Sequence, residues 1–124
     1  MFKDYTIEEK MSLVRCIYRQ IVAGATMPVV MSWGARDFRG IDFEGMVTLT
    51  FRVNGFRFNE WVLVSYNRGE DLYEIRLMKN HQVIKTITQV YCDQLGEIID
   101  QEVERGGMTD EEYKNQVENF INSL

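Results

Sequence analysis

Apolar and polar residues alternate without a break from Met46 to Val53. Val47, Leu49, Phe51 and Val53 share one side, and Thr48, Thr50 and Arg52 the other. A period of two marks a strand with one buried face. Asn54-Gly55 follows, then Phe56-Arg57-Phe58. Asn-Gly between alternating runs predicts a two-residue type I′ hairpin, because both central residues of that turn need positive φ. The register it sets puts Val53 opposite Phe56, Phe51 opposite Phe58 and Val47 opposite Val62. On the other side Arg52 meets Arg57, Thr50 meets Asn59 and Thr48 meets Trp61. Asn67-Arg68-Gly69-Glu70 is a second turn, and Asp71 to Lys79 alternates again. Matching apolar positions pairs Val64 with Tyr73 and Val62 with Ile75, which sets Arg76 beside Trp61. The result is an antiparallel meander of three strands.

Glu60 falls on the inward row of this register. A carboxylate buried there costs several kcal/mol unless it is paired or takes up a proton. A β-bulge at Asn59-Glu60 would turn Glu60 outward and swing Trp61 and Leu63 inward. Trp61-Val62-Leu63-Val64 is apolar on both faces, so this strand is expected to be central and covered on both sides.

Helical spacing brackets the meander. Thr6 and Glu9 form a capping box, and Ile7, Met11, Val14, Ile17 and Ile21 make the stripe behind it, with Gly24 as the stop. Pro28 opens Val29 to Trp33, read as an extended stretch and a candidate fourth strand. Gly34 to Gly45 reads as a charged loop carrying Phe38, Ile41 and Phe43. Thr86-Ile87-Thr88-Gln89 fits a capping box for a helix with Tyr91, Leu95, Ile98, Ile99 and Val103 along one side. Gly106-Gly107 then stops that helix. Thr109 and Glu112, with Met108 against Tyr113, start another that runs to Leu124. These two predict a helical hairpin.

The chain of 124 residues is 45% hydrophobic and 27% charged, which excludes intrinsic disorder and fits a single domain over residues 1–124. No apolar run is long enough for a membrane span, and MFKDYTIEEK lacks the apolar stretch of a signal peptide. A cytoplasmic location without a membrane partner is expected. The net charge of −5 is unevenly spread. Residues 83–124 hold three Lys/Arg and nine Asp/Glu, whereas residues 26–82 hold seven of each. An acidic third repels phosphate backbones, so direct nucleic-acid binding is not expected; a basic partner is.

Reactive residues are few. Cys16 and Cys92 are 76 positions apart and lie in apolar patterns, expected as buried reduced thiols, with one long-range disulfide as the alternative. His81 is the only histidine and sits in the polar run Lys79-Asn80-His81-Gln82, a turn. One histidine cannot build the usual zinc sites, and no phosphate-binding or dinucleotide-binding glycine motif is present. No cofactor and no metal are expected.

These readings converge on an α+β fold. It has an N-terminal helix, a three- to four-stranded antiparallel meander, and a C-terminal helical hairpin packed on one sheet face. The free face, with Thr48, Thr50, Leu63, Leu72 and Met78, is too apolar for water. It is expected to take a protein partner or a second copy of the chain through Arg52, Arg57, Trp61 and Arg76. The functional expectation is a non-enzymatic interaction protein that self-associates. One alternative is a small-ligand-binding domain, with residues 34–45 and Trp33 closing a pocket between helix and curved sheet. Another is an enzyme using Glu60 or His81.

Overall fold

A computed structural model describes residues 4–105 and 110–123. Helix α1 (Ile7–Ala25) starts at the expected capping box: Glu9 N–H donates to the Thr6 hydroxyl at 3.2 Å and Thr6 N–H to Glu9 Oε1 at 2.9 Å. Five strands follow α2 (Met27–Ser32). They are β1 (Arg36–Phe43), β2 (Met46–Asn54), β3 (Asn59–Asn67), β4 (Leu72–Lys79) and β5 (Gln82–Val90). They form one antiparallel sheet in chain order. A 3₁₀ turn at Cys92–Gln94, α3 (Leu95–Asp100), a π-helical turn at Gln101–Arg105 and α4 (Asp110–Asn122) complete the chain. The architecture is α+β, with two more strands than the alternation at Met46–Lys79 announced. Among the described residues no helix is long and apolar enough to cross a membrane.

The core lies between the sheet and the helices. Ile17 and Ile21 of α1, Trp33, and Leu95, Ile99 and Val103 pack on Leu49, Phe51, Val53, Val62, Val64, Tyr73, Ile75 and Leu77. Gly24 is not the stop of α1. It lies inside the helix where α3 crosses: a Cβ on the facing Gly96 would come within 2.4 Å of Ala25 N and 2.5 Å of Ile21 O. The two glycines are there for backbone approach, and Thr26, at φ 81°, ends the helix.

Four stretches depart from the sequence reading. Residues 28–32 are helical and Trp33 caps that helix, so no strand forms here, since a proline in the first turn starts a helix as readily as an extended run. Residues 34–45 are not a loop. They form β1, whose polar residues are tolerated because it is an edge strand, and Glu44-Gly45, with φ of 50° and 80°, turns it into β2. The helix expected from Thr86 is the end of β5, and helical backbone begins only at Cys92. Cys16 and Cys92 are exposed free thiols, neither buried nor bridged. The boxed start at Thr109 and the Met108 contact lie outside the described residues; α4 itself packs chiefly against α2.

The hairpin at Asn54-Gly55 is the most instructive correction. The last pair of β2 and β3 is Asn54 with Asn59, so the loop spans residues 55–58 and the register is displaced. Val53 faces Glu60, Phe51 faces Val62, and Arg52 faces Trp61 rather than Arg57. The β3–β4 register also slips: Leu63 faces Arg76 and Trp61 faces Met78. Both slips are even, so residues 61–66 and their partners in β4 keep their faces, whereas residues 55–58 leave the ladder and Glu60 turns out of its row. The two-residue type I′ pattern occurs instead at Asn80-His81, with φ of 53° and 64°, between Lys79 and Gln82. Gly55 is needed for another reason. Val103 O accepts N–H bonds from Arg57 at 2.9 Å and Phe58 at 3.3 Å, and a Cβ on Gly55 would sit 2.2 Å from that oxygen.

Two carboxylates are buried beside this loop. Trp33 Nε1 donates to Asp100 Oδ1 at 2.7 Å, and Phe56 N–H donates to Glu104 Oε2 at 2.9 Å. Burial pushes the Glu104 carboxyl above the usual range; the Phe56 amide offsets part of this and Asp100, one turn away, adds to it.

Two expected outcomes follow from this packing. Gly55→Ala should cost about 3 kcal/mol by urea unfolding, from overpacking and strained bonds at Val103 O. Gly45→Ala, where nothing lies within 4 Å of the new Cβ, should cost only about 1–2 kcal/mol from its positive φ. Glu104 binds its proton more tightly in the folded chain. Its protonation therefore stabilises the fold fully below the unfolded value of 4.5, and that contribution is lost as pH rises through the raised value. Glu104→Gln keeps an oxygen for Phe56 N–H without the charge. It should be more stable than the wild type at about pH 7, and the difference should shrink as pH falls below the ordinary carboxylate range.

Candidate functional site: a cleft on the helix-free sheet face

The sheet curls toward the face that carries no helix. Flat strands would hold β1 and β4 roughly 14 Å apart. Across that span residues of all four strands border one recess, and the Arg76 guanidinium of β4 leans to 5.2 Å from the ring centre of Phe43 in β1 and 3.7 Å from Glu44. Bulges explain the bend. β1 carries an extra residue at Asp37 (φ 57°), and β5 carries extra residues near Ile84 and at Gln89 (φ 58°). A bulge on an edge strand bends it and increases local twist. The curl covers the floor of this face with its own rim. Thr48 and Ser65 are fully buried and joined by a 2.7 Å hydroxyl bond, the Thr50 hydroxyl donates to Val62 O at 3.0 Å, and Leu63 is buried. The face is therefore not the broad apolar surface expected from Thr48, Thr50 and Leu63.

Three of the four residues singled out from the sequence meet here. Trp61 lies opposite Arg52, whose guanidinium carbon is 5.5 Å from the indole centre. Arg76 is buried, bonds Glu74 at 2.5 Å, and leaves its Nη1 without a hydrogen-bond partner. Arg57 is elsewhere: its Nη1 donates to Gln101 O on the helical side at 3.0 Å. The sequence missed Arg39. From β1 it reaches Trp61 across β2, at 5.9 Å from the ring centre. Its only signal was a weak alternation inside what read as a charged loop.

Glu60 and His81 also reach this face. Glu60 belongs to the inward row by register, but its φ of 116° rotates the side chain out, and its carboxylate accepts Asn80 N–H at 3.4 Å. Trp61 and Leu63 do not swing inward in exchange. Their row stays on the concave face, so no full bulge is needed. Together these residues border a cleft of about 270 Å³. Ile41, Phe43, Leu63 and Met78 give it apolar walls, and Trp61 an aromatic one. Arg39, Thr50, Glu60 and His81 supply its polar groups.

A second concavity runs along the outside of the sheet between α1 and β1. It holds about 390 Å³ beside Ile7, Met11, Val14, Gly40 and Ile41. It continues past Val14 and Arg15 into about 300 Å³ beside Tyr18, Phe38 and Leu49. The sequence suggested a pocket closed by residues 34–45 and Trp33; here residues 36–43 are a strand and Trp33 is wholly buried away from this concavity. No family model, curated protein or solved structure matches the chain. Among the described residues no three histidine, cysteine or acidic side chains gather as a metal-binding set.

Burial pushes the Glu74 carboxyl up, but the Asn67 amide and the Arg76 guanidinium outweigh it and hold it below the usual range. Its bonds therefore stabilise the fold above the unfolded value of 4.5, and this is lost as pH falls through the lowered value. Arg76→Leu strands the Glu74 carboxylate. It should cost roughly 3 kcal/mol at about pH 7, and the deficit should shrink on acidification, as read by urea unfolding.

Proposed function

We propose that the protein is a non-catalytic interaction module that associates with itself, with helix α4 of one copy lying in the α1–β1 groove of another. The observation that carries this reading is the groove's exposed apolar lining. Ile7 is 73% exposed, Met11 49% and Phe38 39%, all bordering the groove. Large apolar groups gathered in a groove mark a binding surface, whereas scattered ones do not.

Charge and length favour α4 as the occupant. Arg15 borders both halves of the groove and has no carboxylate partner among the described residues, while Lys10 reaches across to Asp42 at 2.9 Å. Helix α4 exposes Glu111, Glu112 and Glu118 and leaves Ile121 42% exposed. Its 13 residues span about 20 Å, comparable with the roughly 17 Å from Ile7 to Tyr18 along α1. An amphipathic helix in an apolar groove with a complementary rim is a recurring mode of recognition. Reciprocal exchange of α4 gives a closed two-fold dimer.

Wild-type protein should sediment as a dimer at high micromolar concentration. Met11→Glu, placing a carboxylate at an exposed position opposite an acidic helix, should shift it to monomer with unchanged far-UV circular dichroism. Reversing Glu111, Glu112 and Glu118 to lysine should weaken association and change its salt dependence. A monomeric wild type would refute self-association. A dimer dissolved by Trp61→Ala with unchanged far-UV circular dichroism, and indifferent to Met11→Glu, would refute the groove and place the second copy on the concave sheet face.

A further inference from the structure

The concave cleft is distinct from the groove and has its own chemistry. Arg39 and Glu60 both border it, from β1 and β3. They carry opposite charge, yet they form no ion pair with each other or with any other described residue. Arg39 is exposed and held over Trp61; the Glu60 carboxylate has only the long Asn80 amide bond. Trp61, Leu63, Met78, Ile41 and Phe43 line the same cleft. A cation and an anion without ion-pair partners, both on one apolar-walled cleft, fit a molecule that carries both charges and an apolar body. The volume, about 270 Å³, falls just below the usual range of ligand sites and suits a small molecule. The strained backbone of Glu60 points the same way. A non-glycine residue at φ 116° persists only where the surrounding fold holds it, and here it delivers the carboxylate to the cleft instead of the core.

We propose that this cleft binds a small zwitterion with an apolar side chain, a free hydrophobic α-amino acid. The Arg39 guanidinium takes its carboxylate, the Glu60 carboxylate takes its ammonium, and the side chain lies against Leu63, Met78 and Trp61. The reading does not rest on self-association, although Arg39 and Ile41 border both the cleft and the groove.

Trp61 makes the test direct, because the only other tryptophan, Trp33, is fully buried and serves as a constant background. The probes are L-leucine, 4-methylpentanoate, which lacks the ammonium, and 3-methylbutylamine, which lacks the carboxylate. L-leucine should change the Trp61 emission saturably, and calorimetry should show the same single site. Each truncated probe should bind roughly tenfold more weakly or worse, since one charged group of the site is then left unpaired. Arg39→Gln should weaken L-leucine and 4-methylpentanoate and leave the amine unchanged. Glu60→Gln should weaken L-leucine and the amine and leave the carboxylate probe unchanged. Both positions reach solvent and both variants should keep the wild-type far-UV spectrum. The proposal is overturned if L-leucine gives no saturable signal by either method. It is overturned equally if the three probes bind alike, or if neither variant discriminates among them.

Discussion

The junction around Trp33 fixes how the two halves of the molecule meet. Its indole donates to the buried Asp100, and its carbonyl accepts Asn54 N–H at 2.6 Å. The chain leaving β2 is thereby anchored beside α3. One loop further, Val103 O gathers the amides of Arg57 and Phe58, and the Glu104 carboxylate gathers that of Phe56. Residues 55–58 are thus spent on docking to a helical turn instead of on a tight hairpin. The length of that docked loop sets the β2–β3 register, and the register sets Arg52 opposite Trp61. The concave face owes its arrangement to contacts on the other side of the sheet.

What the sequence disclosed and what it hid divide along local and tertiary causes. The capping box at Thr6, the alternation of β2 and the turns at Asn67–Glu70 and Asn80-His81 are local, and they appear where residue chemistry places them. The Asn-Gly signal misled because the amides of the loop found partners in a segment 45 residues away, which no short-range rule can weigh. Edge strands misled for another reason. β1 and β5 face water along nearly their whole length, so neither needs the apolar period by which a strand is recognised. Thr86 to Gln89 carries capping chemistry that β-branched residues also satisfy in a strand. Of the site, Trp61, Arg52 and Arg76 were legible because parity survives an even slip. The outward turn of Glu60 was anticipated, but it comes from its own φ of 116° within an unbroken β2–β3 ladder and not from a bulge, and the reach of Arg39 to Trp61 arises only when the sheet is assembled.

The same curl separates two kinds of surface. Inside it, hydroxyls and arginines close over the floor and leave a small, mixed-charge recess. Outside it, the edge strand and α1 leave a longer apolar channel. Arg39 and Ile41 stand at the divide, since each borders both concavities. A ligand within the recess and a helix in the channel would therefore touch opposite sides of one strand.

A meander that does not close leaves two rows of unpaired backbone groups, one on β1 and one on β5. Such rows invite other chains to add strands without limit. The bulges at Asp37, Ile84 and Gln89 sit on those two strands, and β1 presents Arg36, Asp37, Arg39 and Asp42 along its length. Irregular spacing and charge deny an incoming strand a continuous ladder. The distortions that shape the recess thus double as a guard against fibre formation.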